Sequence, residues 1–248
     1  FLADIFILSA EKQPIKLSWR KIEWLLVKRA TGFITGGFRP TNSNTENWIG
    51  QVYLYRENED IPIDDNGKAM LPLLQICLEG LPYIPDALKG SKVLTIFVSE
   101  NMPGRLAYNG DAWVIREYKE EDVLVVKDIY MQSSSRIKPY PLKSKLITED
   151  YPVWDSGDIP MDIEDELVEM EDSGEITDYY DYTDCFAGHK IGGYPNYIQS
   201  GIDFGDGYEF MIQIASDEKA NLNIIDSGNF YLAKNSQTGD WRLYCDFY

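Results

Sequence analysis

Eight short runs set the limits on folding: QVYLY, LPLLQICL, KVLTIFVS, AWVIREY, VLVVKDIY, YEFMIQI, NFYLA and WRLYCDF. Each is rich in β-branched and aromatic residues and is closed by turn residues, as strands are. Asp65-Asn66-Gly67 and Asp206-Gly207 fall between such runs and read as hairpin turns. One segment has a different period. SWRKIEWLLVKRATG sets Trp19, Ile22, Leu25 and Leu26 on one helical stripe, with Ser18 as N-cap, basic residues in the last turn and Gly32 as stop. The expected class is α+β, predominantly antiparallel β.

Charge divides the chain. From Leu146 to Asp184 there are fifteen acids and no lysine or arginine. This segment supplies most of the net charge of −18. Within it, DIEDELVEMED can form a helix with Ile163, Leu167 and Met170 on one side. The flanking DSGDIP and DSGEITDYYDYTD read as loops or a tether. The 248 residues are read as a single domain with an N-terminal helix (1–32), two β-rich halves (33–145 and 185–248) and an acidic connector (146–184). Such a charge argues against nucleic-acid phosphates and anionic membrane surfaces, and draws in a cationic partner.

No apolar run approaches the roughly 18–20 residues of a membrane span. The N-terminal FLADIFILS lacks the flanks of a signal peptide. Cys77, Cys185 and Cys245 form an odd set without metal spacing, which fits thiols in a reducing, cytoplasmic compartment.

Two stretches look alike. ITGGFRP is followed by LPLLQICL and KVLTIFVS, and KIGGYPNYIQ by EFMIQIAS and NFYLAKN. In both, a Gly-Gly turn (Gly36-Gly37, Gly192-Gly193) precedes an apolar strand with one central glutamine, Gln75 or Gln213. Repeated order suggests a duplicated unit with pseudo-two-fold symmetry. A glutamine in an apolar strand needs partners, so each is expected to pin its own half's Gly-Gly loop to the sheet.

These residues resemble the YwqG-like family, a bacterial domain family of unknown function. The resemblance rests on Gly192-Gly193-Tyr194-Pro195 with Ile198-Gln199, on FMIQIASDEKANLNIIDSGNFYLA, and upstream on GGFRP, LPLLQICLEGLP and KVLTIFVS. It covers roughly Thr31–Val98 and His189–Tyr248. It implies a mostly β fold with internal similarity and no catalytic residues. Domains of that family occur near polymorphic-toxin genes, which implies an immunity or antitoxin-like role.

The only histidine, His189, sits beside Cys185 and several acids, but no nucleophile motif accompanies it, and a hydrogen-bonded turn is the expected role. A zinc set at Cys185 and His189 lacks the usual second pair. Asp203 and Asp206 lack EF-hand spacing and read as a turn. No cofactor is expected. The candidate partner-binding surface is DYYDYTD, with Asp178, Tyr179, Tyr180, Asp181, Tyr182 and Asp184 in contact and Glu164, Asp165, Glu166 and Glu169 as steering charge. The expected function is a non-enzymatic, acidic immunity-type protein that neutralises a basic toxin domain. The alternative is a small-ligand protein or enzyme with a cleft between the repeats, lined by the Gly-Gly turns, Gln75, Gln213, Tyr194 and His189.

Overall fold

A computed structural model describes residues 17–248 apart from 42, 44, 105 and 130–135; the FLADIFILS segment lies outside the described residues. Helix α1 spans Trp19–Leu26 and α2 Met161–Ser173. The first half holds β1 (Lys28–Thr35), β2 (Asn47–Ile49), β3 (Leu54–Tyr55), β4 (Leu71–Cys77), β5 (Ser91–Val98), β6 (Ala107–Tyr108), β7 (Trp113–Lys119) and β8 (Val125–Val126). The second holds β9 (Tyr140–Asp150), β10 (Lys190–Gly192), β11 (Tyr208–Ala215), β12 (Asn229–Asn235) and β13 (Trp241–Asp246).

Strands β3 and β8 pair with each other, and the other eleven form one antiparallel sheet in the order β6-β13-β12-β11-β10-β1-β9-β2-β4-β5-β7. Apart from β6 at one end, the order is symmetric about the β1–β9 pair, with β10-β11-β12-β13 answering β2-β4-β5-β7, and the register follows it. Gln75 on β4 faces Trp48 on β2, and Gln213 on β11 faces Lys190 on β10. A register shift falls between Pro72 and Leu74 in one half and between Phe210 and Ile212 in the other, two residues before each glutamine. A bulge retained at equivalent positions marks the halves as copies of one unit.

The copies exchange their first strands. β1 pairs with β10 of the second half, and β9 pairs with β2 of the first. Both halves fill a single core, with Leu74, Ile76, Leu94 and Ile96 meeting Ile212, Ile214, Phe230 and Leu232. The sheet curls until its ends approach and is nearly closed. β6 and β7, at opposite ends of the order, are joined by four residues. Across this seam Glu117 on β7 accepts from Lys234 Nζ on β12 (2.8 Å) and from Trp241 Nε1 on β13 (3.2 Å), and also from Ser91 and Lys119.

The acidic connector is folded. α2 buries Ile163, Leu167 and Met170 against Ile22 and Leu26 of α1, with Tyr151, Ile159, Ile176 and Tyr179 completing a second core. α1 stops well short of Gly32. Val27 is already extended, and Lys28 begins β1. Sheet pairing on both sides of β1 outweighs the local helical stripe. Ser18 makes no side-chain cap, and Leu25 is exposed.

Candidate partner-binding face

The HKIGGYPNYIQ stretch is built around a buried carboxylate. Asp150, at the end of β9, is fully buried and accepts from the backbone N–H of Phe186 (2.7 Å) and Tyr194 (2.7 Å) and from Lys190 Nζ (2.8 Å). Lys190 is equally buried, so the pair holds its charges without water. Such a pair mainly specifies geometry, since burying both charges offsets their attraction. Here it ties the exchanged strand to the turn after β10.

Gly192 has φ of +77°, and a Cβ there would meet Arg29 O at 3.2 Å and the Tyr83 ring. Its structural counterpart is Gly50, with φ of +72° and Lys138 O at 2.7 Å from an added Cβ. In each half the chain turns away just where the exchanged strand passes closest, and only glycine fits. The pairing of Gly36-Gly37 with Gly192-Gly193 is therefore corrected. Gly36 follows β1 and donates to Pro141 O on β9, whereas Gly192 ends β10. Gly193 lies against Asp150, Tyr194 is buried with Lys28 Nζ 3.8 Å from its ring centre, and Pro195 leads into the covering loop.

Both glutamines are buried and bond only to backbone. Gln213 accepts from Asn196 N–H (2.7 Å) and donates to Ala187 O (2.9 Å) and Gly188 O (3.0 Å). Gln75 accepts from Tyr53 and Leu54 N–H (2.8 and 3.0 Å) and donates to Glu46 O (3.1 Å). Gln213 thus pins the loop after Gly192-Gly193. Gln75 pins the loop after Gly50, not Gly36-Gly37. Neither points into a cleft.

His189 is buried. Its Nδ1 accepts from Ala215 N–H (3.1 Å), and Nε2–H donates to Asp217 Oδ2 (3.2 Å). Burial opposes ionisation of Asp217, but hydrogen bonds from His189, Thr35 and Ala220 outweigh it and hold the carboxyl well below the usual range. Burial raises the Cys185 thiol to about 11, despite Lys190 beside it. Among the described residues no three His, Cys, Asp or Glu side chains gather as a metal set. Asp203 closes its own turn by accepting from Gly205 N–H (2.7 Å).

A polar groove of about 680 Å³ does lie between the halves. Tyr83 and Asp86 form one wall, and Gly192, Gly193, Pro195 and Tyr197 the other, with Lys28, Asp158 and Glu209 contributing charge. Burial lowers the Lys28 ammonium and raises the Asp158 carboxyl, although each charge opposes the other's shift. Of the lining expected for a cleft between the repeats, Gly192 and Gly193 are present, whereas Gly36, Gly37, Tyr194, Gln75, Gln213 and His189 do not line it. Sequence reading missed Lys28 by assigning it to a helix end, and Asp158 by assigning it to a tether.

The DYYDYTD segment divides into two faces. Tyr179 is 1% exposed, and its hydroxyl donates to Pro152 O (2.9 Å). It is corrected from a contact residue to an anchor, because the second core needs its ring. Tyr180 and Tyr182 remain 56% and 46% exposed, with Asp178, Asp181 and Asp184 outward. Asp178 caps a one-turn helix by accepting from Tyr180 N–H (2.7 Å), and Trp19 packs on Tyr182 at 5.1 Å. Asp165 and Glu169 are exposed on α2; Glu164 is half-buried, and Glu166 accepts from Leu17 N–H. Between Tyr180–Asp184 and the Lys145–Glu149 stretch of β9 runs a groove of about 610 Å³.

The family model of a domain of unknown function, DUF1963, matches residues 49–237. No curated protein matches the sequence. Among the described residues no helix is long and apolar enough to cross a membrane.

Proposed function

The chain belongs to the DUF1963 family, and we propose that it is a non-enzymatic protein-binding module, an acidic immunity-type protein that neutralises a cationic toxin domain in the bacterial cytoplasm. The observation that carries this reading is the division of DYYDYTD, with Tyr179 locked in a core while Tyr180, Tyr182, Asp181 and Asp184 face outward. Rigid amphipathic rings give contact area at low entropic cost, and the surrounding carboxylates steer a basic surface. The likeness to YwqG-like domains supports the same reading. Three buried thiols without disulfides fit a reducing compartment.

The test is affinity capture from the native cell with a salt series. A basic protein is expected, held at low salt and released as salt rises. Tyr180→Ala is expected to weaken capture about tenfold, the effect of losing an aromatic anchor. Asp181→Lys with Asp184→Lys is expected to abolish it. Unchanged capture by the charge-reversed protein removes this assignment.

The groove holding Lys28 and Asp158 favours a second reading, a small-ligand protein, since opposed charges in a concave polar site are a common mark of binding. Native mass spectrometry of the purified chain decides it. A retained small molecule lost in Lys28→Gln favours the second reading over the first.

A further inference from the structure

The groove beside Tyr180–Asp184 has an unusual second wall. β9 runs from Tyr140 to Asp150, but β2 pairs with it only at Tyr140, Pro141 and Leu142. From Lys143 onward, among the described residues, β9 has one sheet neighbour, β1. Register tells which backbone groups are free. Phe33 faces Ser144 and Thr31 faces Leu146. Phe33 N–H donates away from β9, to His189 O, and Thr31 is also paired with Ile191 on that far side. Gly36 N–H donates to Pro141 O, which sets the odd-numbered residues of β9 toward β1. In an antiparallel ladder the alternate residues then point the other way. The N–H and C=O of Ser144 and Leu146 therefore point away from β1, and Leu146 lines the groove.

We propose that the partner docks here as an added strand: an extended basic segment pairs its backbone with β9 at Ser144 and Leu146 while its lysines or arginines reach Asp181, Asp184 and Glu149. This rests on the reading that the partner is a cationic protein. Strand addition takes affinity from main-chain bonds and specificity from side-chain pockets. The groove is lined by those three carboxylates and one ammonium, Lys145, which sits 4.4 Å over the Phe186 ring. Tyr180 and Tyr182 border the bound segment, and Leu146, 45% exposed, offers it an apolar contact.

The test uses the full chain and two peptides, one of alternating lysine and threonine, and the same peptide N-methylated at alternate residues. The charges are equal; only the backbone donors differ. Fluorescence anisotropy is expected to show binding of the first, and about tenfold weaker binding of the methylated form, the size of a lost pair of hydrogen bonds. Leu146→Pro is expected to weaken the first peptide similarly while leaving the fold intact, since among the described residues its N–H serves no ladder bond and edge strands tolerate proline there. Equal binding of both peptides overturns strand addition while leaving the acidic face as partner site, provided Asp181→Lys with Asp184→Lys still weakens both. If that double variant also changes nothing, the proposed function falls too. Failure of the unmethylated peptide to bind overturns strand addition. So does a dimer of the chain in sedimentation that Leu146→Pro dissolves, because the edge would then belong to a second copy.

Discussion

At the scale of single residues, the two glutamines show how a polar group can organise an apolar strand. Gln213 satisfies Asn196 N–H and two carbonyls at once, and truncation leaves all three without that partner. Gln213→Ala is expected to cost about 1–3 kcal/mol, the range for stranding buried polar groups. Gln75→Ala is expected to cost a similar amount. Four strands lie between the two residues in the sheet, so the double variant should be additive within a few tenths of a kcal/mol. Urea denaturation checks both statements. The need of these glutamines for backbone partners was legible from sequence, because a glutamine amid LPLLQICL has no other way to be buried. The loop each one serves was not legible. Gly-Gly pairs recur wherever a turn needs positive φ, and the equivalence of Gly50 with Gly192 depends on the close approach of β1 and β9, which only the folded register defines.

At the scale of elements, the connector behaves as part of the fold. α2 was legible from the spacing of Ile163, Leu167 and Met170, since a period near four residues marks one helical face. What the stripe packs on was hidden, because α1 lies far away in sequence and its own stripe ran on into residues that pair as β1. β9 was missed for a related reason. In KSKLITED only Leu146 and Ile147 are apolar, as suits an edge with one neighbour among the described residues, so it carries no apolar run. Tyr179→Ala is expected to destabilise the protein by about 3–5 kcal/mol, as large core truncations do. Protease cleavage should then concentrate in 151–184, because the second core holds that segment down. An unaltered melting temperature and digestion pattern would mean that the segment is a tether after all.

For the molecule as a whole, the seam of the sheet gathers on the carboxylate of Glu117. Burial raises its carboxyl, but hydrogen bonds from Lys119, Lys234 and Ser91 outweigh burial and hold it at about 2, against 4.5 for a free glutamate. A carboxyl lowered in the folded state binds its proton more readily when unfolded. Its contribution is therefore complete above about pH 4.5 and drains away as pH falls toward 2, with an upper limit of about 3 kcal/mol. Glu117→Gln is expected to flatten that acid limb of the stability curve relative to the native chain. Equal slopes between pH 4.5 and 2 would show that the seam closes without this charge.

The exchange of β1 and β9 also bears on how such a chain could have diversified. A lone half would carry a first strand that finds its neighbour only in another half, so the smallest self-sufficient unit is a pair. Joining two halves in one polypeptide frees each to change alone, provided the traded strands still fit. The links that follow the traded strands record this freedom. After β1 the chain reaches β2 through residues 36–46, and after β9 it reaches β10 through residues 151–189. The acidic connector thus occupies the place that a short glycine loop fills in the other copy. Both copies keep the common strands and each has its own additions, the acidic connector in the second and β6 with the β3–β8 pair in the first.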